Sequence, residues 1–191
     1  MRIKLFILCF FISTSIMAAQ GPKEQTLAMI EALKQVKAND EVSYRQVDAY
    51  IDYDFLTSQS IAPHRSKFTD KQARQFMGLF KSLIRKVAYP QSSTFYNDAN
   101  ATYEPAVISG DMASVLSETV IEKEDFELEI GYQWKKTNGN WRLADLLLDE
   151  DSLVKDYQNQ FGRLISKEGV DGLINRIEKK IVEIDEENAK K

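Results

Sequence analysis

The residue types that most often carry nucleophilic, acid–base or zinc chemistry are scarce in this 191-residue chain, which has one histidine, His64, and one cysteine, Cys9. A catalytic histidine needs a partner that orients it and a substrate pocket beside it. Zinc sites are built mainly from several histidine or cysteine side chains. Because His64 stands alone between Pro63 and Arg65, we interpret it as a loop residue. The sequence therefore predicts no metal site and no catalytic group.

Asp145 is the carboxylate with the most unusual position, because it interrupts an apolar strand that runs from Trp141 to Leu148. One interpretation is a buried aspartate that accepts hydrogen bonds from the backbone or pairs with a cation such as Arg142. The other is a general base in a cone-shaped pocket, as in ketosteroid-isomerase-like enzymes, although no second tuned acid is visible to act with it. Other acidic residues nearby are interpreted as solvated charges: Glu122, Glu124, Asp125, Glu127 and Glu129.

Residues 1–19 have the pattern of a cleaved secretory signal peptide. Arg2 and Lys4 give the start a positive charge, and Leu5–Ile12 is an apolar run that is too short to span a bilayer as a stable helix. Two alanines at the end of the segment supply small residues for cleavage. We therefore expect an exported protein whose mature chain is residues 20–191.

The mature chain is long enough for a single domain with a substantial core. It contains no cysteine, so packing must hold it together without disulfides. Without Arg2 and Lys4 the chain has 23 basic and 29 acidic residues, which is a net charge of −6. That charge argues against a nucleic-acid partner and against adsorption on anionic lipid surfaces. The charged end, residues 185–191, is expected to fray.

Helical spacing of apolar residues dominates the first half of the mature chain. Pro22–Lys37 predicts one helix, and Tyr44–Gln59 predicts short helical turns. A capping box begins at Thr69 and predicts a helix that continues to about Ala88, because Pro90 cannot extend it. The apolar stripe of this helix is expected to point at the sheet and consists of Phe76, Phe80, Leu83, Ile84 and Val87.

Two-residue periodicity follows and predicts strands at Tyr103–Ser109, Met112–Ile121, Phe126–Trp134 and Trp141–Leu148. The third strand alternates most clearly, which predicts a half-buried antiparallel strand with one face toward the helices. The residues of that face are Leu128, Ile130, Tyr132 and Trp134. After the last strand, capping residue types and a 3.6-residue spacing predict a return to helix.

The order of helices, then strands, then helices predicts an α+β domain. It would contain an antiparallel sheet of about four strands with helices packed on one face. The most distinctive stretch is Trp141–Phe161, where the last strand passes almost without a loop into a helix that must fold back on the sheet.

The same stretch resembles the MlaC, or toluene-tolerance, family of periplasmic lipid-binding proteins. The residues that match the family pattern are Trp141, Asp145, Ser152-Leu153-Val154, Asp156–Phe161 and Gly169–Ile174. The chain departs from the pattern at Gln158, where the family has an arginine, and at Glu150-Asp151, where a glycine is expected. The resemblance extends from about Leu27 to Ile181 and carries no catalytic motif.

The resemblance implies a nuclear-transport-factor-2-like cone with extra helices and an internal lipid cavity. It also implies a carrier that moves phospholipid between the outer and inner membranes and so maintains outer-membrane lipid asymmetry. The implied partners are an inner-membrane ABC transporter complex with a hexameric lipid-binding subunit and an outer-membrane lipoprotein–porin complex. No cofactor is implied.

Lipid-binding residues follow from the resemblance together with the apolar stripes. The predicted set is Phe55, Phe76, Phe80, Leu83, Ile84, Val87, Leu128, Ile130, Tyr132, Trp134 and Leu143. Two alternatives stay open at this point. One is a carrier of hopanoid or another polycyclic lipid, since the sequence does not size the cavity. The other is an isomerase-like enzyme on the same fold.

Overall fold

The computed structural model describes residues 21–190. Helices come first and last along the chain, with the strands between them. The predicted signal peptide, residues 1–19, lies outside the described residues. The α-helices are α1 Pro22–Lys34, α2 Glu41–Asp48, α3 Tyr53–Ser60, α4 Asp70–Leu83, α5 Tyr89–Asp98 and α6 Leu153–Ala189. The strands are β1 Asn100–Tyr103, β2 Val107–Ser109, β3 Met112–Ile121, β4 Phe126–Thr137, β5 Asn140–Leu148 and β6 Asp151–Ser152.

The strands form one sheet in the order β1-β3-β4-β5-β6, with β2 also paired to β3. All of these pairs are antiparallel, so the predicted α+β class is confirmed, with a few short strands more than expected. Asn138 and Gly139 join β4 to β5, and both have positive φ, which a two-residue hairpin of this kind requires. A register shift opposite Gln133 and Trp134 makes a bulge in β5.

The predicted strand Tyr103–Ser109 is two separate strands, which corrects the sequence-based boundary. β1 ends at Tyr103 and β2 begins at Val107. Pro105 lies in the gap, and proline has no N–H to donate to a ladder. The two halves therefore pair with different parts of β3.

The predicted end of a helix before Pro90 is also wrong, because helical structure continues to Asp98. α4 ends at Leu83 and is followed by one π-helical turn, Ile84–Ala88, and then by α5. Pro90 falls in the first turn of α5, where a missing N–H costs least. Thr69 does cap α4, and its side chain and that of Gln72 make the reciprocal hydrogen bonds of a capping box.

The inner face of β4 packs against α1 and α5. The Trp134 indole Nε1–H donates to Thr26 Oγ1 of α1 at 3.0 Å, and the Tyr132 hydroxyl lies 2.9 Å from that of Tyr96 in α5. Ile130 is buried beside them. These contacts give the helix–sheet core, which is centred on Met29, Leu33, Val47, Tyr89, Tyr96, Ile130, Tyr132, Trp134 and Leu143.

A second apolar core lies between helices, and here the predicted orientation of α4 is wrong. Phe76 and Phe80 are buried against Phe161 of α6, with ring centroids 5.2 Å apart in both pairs, and do not meet the sheet. We call this the helix–helix core, and its buried members are Ile61, Phe68, Ala73, Phe76, Phe80, Phe161, Ile165, Val170, Leu173, Ile174 and Ile177. An amphipathic stripe indicates that a face is buried but not which neighbour buries it.

α6 reaches along α4 because it bends at Gly169, whose backbone is non-helical with φ 74° and ψ 178°. This conformation is open to glycine and strained for other residues. Past the bend, Asp171 accepts a hydrogen bond from Gln72, and Lys86 pairs with Asp185. α6 is helical to Ala189, and the Lys86–Asp185 pair lies at the first residue of the segment predicted to fray.

Candidate functional site

An apolar cavity of about 110 Å³ lies where the helix–sheet core meets the start of α6. Its walls come from α1, α2, α3, the π turn, α5, β5 and α6. The apolar residues that line it are Met29, Leu33, Val47, Ile51, Leu56, Ile84, Ala88, Leu143, Leu146, Leu153 and Val154. The polar groups at its wall are few and consist of Tyr89, Ser92, Tyr96, Asp145 and Tyr157.

Two elements shape this space by interrupting regular structure. On the helical side, the π turn brings Ile84 and Ala88 to the cavity wall, and it ends directly before Tyr89. On the sheet side, the bulge in β5 lies between Leu143 and Asp145, both of which line the cavity. A bulge bends its strand and redirects side chains, so β5 departs from regular strand geometry where it borders the cavity.

Among the predicted lipid-binding residues, Ile84 and Leu143 line the cavity. Leu128, Ile130, Tyr132 and Trp134 belong to the helix–sheet core, while Phe76, Phe80 and Leu83 belong to the helix–helix core. Phe55 lies elsewhere, under the Lys135 ammonium at 4.3 Å from its ring centroid. Val87 is half-buried on the π turn.

Sequence analysis missed most of the wall, including Val47, Leu56, Ala88 and Val154. Met29 and Leu33 lie on the apolar side of α1, and Leu153, Val154 and Tyr157 lie on the apolar side of the α6 start. Periodicity could show that these residues are buried. It could not separate residues that face a cavity from residues that face a neighbouring side chain.

Asp145 accepts three hydrogen bonds, two of them from donors at the start of α6. Its Oδ1 accepts from the backbone N–H of Leu146 at 2.8 Å and of Val154 at 3.1 Å. Its Oδ2 accepts from the Ser152 hydroxyl at 2.5 Å, and Ser152 in turn caps α6 by accepting from Lys155 N–H. This geometry matches the structural interpretation of Asp145, in which the carboxylate fixes the junction of β5 and α6.

Five tyrosines of the helix–sheet core, three of them buried and two half-buried, have pKa values above the usual range for a phenol. Burial is the main cause in each case, and it raises the pKa of Tyr96 to about 12. Burial and the neighbouring Tyr96 hydroxyl raise the pKa of Tyr132 further. The pKa values of Tyr53, Tyr89 and Tyr103 are raised in the same way. These phenols are therefore hydrogen-bonding groups rather than acids or bases near neutral pH.

His64 does not line this cavity and lies in the 3-10 helix Ala62–Lys67 rather than in a loop. Its Nε2 is 3.3 Å from the Gln158 carbonyl oxygen, and a Cβ on Gly162 would come within 2.5 Å of the ring. Across residues 21–190, no group of three or more histidine, cysteine or acidic side chains could hold a metal ion. Over the same residues, no helix combines the length and apolar character needed to cross a membrane.

Comparison with known proteins gives two findings. A family model described as MlaC protein matches residues 23–179, which is most of the chain. The fold is similar to that of a phospholipid-binding protein from Ralstonia solanacearum, solved in complex with a phospholipid, with a TM-score of 0.67 and 21% sequence identity. That match covers 85% of this chain and 95% of the other. The chain therefore belongs to the MlaC family.

Proposed function

We propose that this protein is a periplasmic phospholipid carrier and that its cavity holds acyl chains. The observation that carries the proposal is the apolar cavity between the helical layer and β5, in a chain of the MlaC family. The Ralstonia solanacearum protein of similar fold was solved with a phospholipid bound, which supports the same ligand class here.

A carrier needs such a cavity because the exposure of acyl chains to water costs a large free energy. Burial of acyl chains is worth about 0.8 kcal/mol per CH₂, so two chains of about 15 carbons cost on the order of 20 kcal/mol to expose to water. A carrier replaces the bilayer with an apolar protein wall while the headgroup stays in water. Met29, Leu33, Ile84 and Leu146 offer such a wall from both layers.

The site favours binding over catalysis. The carboxylate at the cavity wall, Asp145, already accepts hydrogen bonds from Leu146, Ser152 and Val154, so it is poorly placed to take a proton from a ligand. Tyr89 and Tyr96 hold their protons tightly because burial raises their pKa values. An isomerase-like reaction would need a free base in this wall.

Transport across the periplasm needs partners, because binding alone has no direction. We propose that the protein exchanges phospholipid with an inner-membrane ABC transporter complex that has a hexameric lipid-binding subunit. On the other side we propose an outer-membrane lipoprotein–porin complex. Together they would maintain the lipid asymmetry of the outer membrane. Residues 1–19 would direct export as a cleaved signal peptide.

The proposal is tested by mass spectrometry of an organic extract of the protein purified from the periplasm. We expect bound phospholipid. A bound polycyclic lipid would show that the ligand is not a phospholipid. An extract without lipid would contradict the carrier function.

A cavity-filling variant tests the location. Ala88→Trp places a large ring on the cavity wall, whereas Ala38→Trp adds the same ring on an exposed loop. We expect Ala88→Trp to fold with reduced bound lipid and Ala38→Trp to keep its lipid. If Ala88→Trp retains full lipid, the chains bind elsewhere. If it unfolds instead, Ala88 lies in solid packing, where an oversized side chain costs about 1–3 kcal/mol.

A further inference from the structure

A charged and hydrogen-bonded cluster around Asp48 lies directly behind the cavity wall. Asp48 is the last residue of α2, and its neighbour Val47 is fully buried and lines the cavity. Asp48 Oδ1 accepts hydrogen bonds from the hydroxyls of Tyr53 at 3.0 Å and Tyr89 at 2.9 Å. The two hydroxyl oxygens are themselves 2.5 Å apart.

The other oxygen of this carboxylate meets two cations. Asp48 Oδ2 is 3.4 Å from Lys81 Nζ and 3.4 Å from Arg85 Nε. Arg85 continues to Glu41 Oε2 at 3.0 Å, at the first residue of α2. One carboxylate thus joins α2 to α3 through Tyr53, to α4 through Lys81, to the π turn through Arg85 and to α5 through Tyr89.

The bond to Arg85 is held by charge more than by a hydrogen bond. Arg85 Nε is buried without a hydrogen-bond partner, although the carboxylate is within ion-pair distance. Buried N–H groups are rarely left in this state. The contact is therefore one that can separate without the loss of a well-formed hydrogen bond.

The π turn carries both the cluster and the cavity wall. Ile84 and Ala88 line the cavity, while Arg85, between them in sequence, reaches the Asp48 carboxylate. Single π turns inside helical runs are frequently found at functional sites. Movement of this turn would change the wall and the cluster together.

Such movement is required if the carrier function holds. The cavity measures about 110 Å³. Ligand pockets usually measure roughly 300–1,000 Å³, so a lipid with two acyl chains fits only when the wall moves outward. Four of the elements that line the cavity, α2, α3, the π turn and α5, meet at Asp48.

We propose that Asp48 is a positioning residue. Its contacts hold the helices of the cavity wall together and set how readily the cavity opens. The inference rests on the proposed function for its ligand and for the need to open, whereas the hydrogen-exchange test requires no ligand. Asp48 touches no ligand in this scheme; it acts through Tyr89 and Arg85. Weakening the contacts of Asp48 speeds both the entry and the exit of lipid, so the amount of lipid bound at equilibrium changes little.

The test compares Asp48→Asn with Asp54→Asn. The first keeps an oxygen for the two tyrosine hydroxyls but removes the charge that faces Lys81 and Arg85. The second removes the same charge from an exposed carboxylate of α3 that makes no ion pair within residues 21–190. Lys81→Gln is a milder variant that removes one of the two cations and remains informative if Asp48→Asn does not fold.

Hydrogen exchange measures opening without any ligand. We expect exchange at the amides of residues 84–89 to rise by about tenfold in Asp48→Asn and by about threefold in Lys81→Gln, with no change in Asp54→Asn. Amides at Phe76, Phe80 and Leu173, in the helix–helix core, should stay protected. Unchanged exchange at residues 84–89 in a folded Asp48→Asn or Lys81→Gln variant overturns the proposal. So does a uniform rise that includes the helix–helix core, because that is general destabilisation.

Lipid transfer supplies the second measurement. The probe is a phosphatidylglycerol with a fluorescent acyl chain, supplied in phosphatidylcholine vesicles. We expect uptake and release both to be faster in Asp48→Asn, by a similar factor, while Asp54→Asn matches the parent. If no variant and no parent protein takes up the probe, the carrier function fails, and the exchange data still decide whether Asp48 controls opening.

Discussion

The two apolar cores of this domain differ in what surrounds their side chains. In the helix–helix core, Phe76 and Phe80 stack with centroids 5.5 Å apart, and each meets Phe161 edge to face. In the helix–sheet core, the side chains near β5 border a cavity of about 110 Å³. Tyr157 belongs to both, since it lines the cavity and packs edge-on against Phe80 at 4.8 Å.

The difference shows that aromatic content does not mark a ligand site. The phenylalanines of α4 are the most conspicuous apolar residues of the sequence, yet they fill space against α6. The cavity is bordered instead by aliphatic side chains and a few hydroxyls, at two irregular places, the π turn and the β5 bulge. A cavity persists where regular elements are prevented from closing on each other, and close packing follows where they are not.

Truncation of one leucine in each core should give the largest difference in stability between the two cores. Leu173 is fully buried in the helix–helix core, whereas Leu146 is half-buried and borders the cavity. We expect Leu173→Ala to lower the free energy of unfolding by about 3–5 kcal/mol and Leu146→Ala by about 1–2 kcal/mol, since the second leaves less new empty space. Urea unfolding of delipidated protein measures both. Equal losses would mean that the cavity wall is as tightly packed as the helix–helix core.

Alkaline pH should lower the stability that the tyrosines of the helix–sheet core contribute. Tyr96 and Tyr132 are buried there with hydroxyls 2.9 Å apart, and the pKa of Tyr96 is raised to about 12. A phenol in the unfolded chain ionises near pH 10, so the unfolded state loses its proton first. The stability from the raised pKa is complete below pH 10 and is lost as the pH rises toward 12, at about 1.4 kcal/mol per pH unit for each such tyrosine.

Urea unfolding between pH 8 and 11, with absorbance at 295 nm to follow tyrosinate, checks this pH dependence. Tyr96→Phe should make the loss of stability with pH less steep, because one of the raised phenols is gone. A free energy of unfolding that stays constant up to pH 11 would contradict the prediction.

Sequence reasoning reached the fold because its strongest signals are local. The alternation of β4 and the capping box at Thr69 depend on neighbours within a few residues, and the structure has both of them. It failed where the outcome depends on distant contacts. The stripe of α4 is buried by α6, which lies about ninety residues further on, and no local pattern distinguishes that partner from the sheet.

The cavity could be expected only from the family resemblance, not from the residue pattern. Its shape depends on one extra residue in a helical turn at Ile84–Ala88 and on one register shift beside Trp134. Each changes a hydrogen-bond ladder by a single step, and neither has a distinctive composition. Asp145 has an unusual position in the sequence, and its carboxylate joins β5 to α6 at the wall of the cavity.

The smallest predicted effect compares the caps of α4 and α6, one for each core. Thr69 and Gln72 exchange hydrogen bonds at an exposed helix start, where Gln72 also donates to Asp171. Ser152 accepts from Lys155 N–H and also donates to Asp145, which is half-buried at the cavity. We expect Thr69→Ala to cost about 0.5–1 kcal/mol and Ser152→Ala about 1–2 kcal/mol, because the second also leaves a buried carboxylate oxygen short of a donor.

Ser152→Thr is the matched control, since it keeps the hydroxyl that both bonds need, and its stability should stay near that of the parent. Thermal or urea unfolding gives the three values. The bound lipid in each variant gives a second, independent comparison. If Asp145 positions the cavity wall, Ser152→Ala also lowers the lipid content while Thr69→Ala does not. Equal costs for the two alanine variants, with lipid unchanged in both, would mean that Ser152 is an ordinary helix cap and that Asp145 keeps its place through the Leu146 and Val154 amides alone.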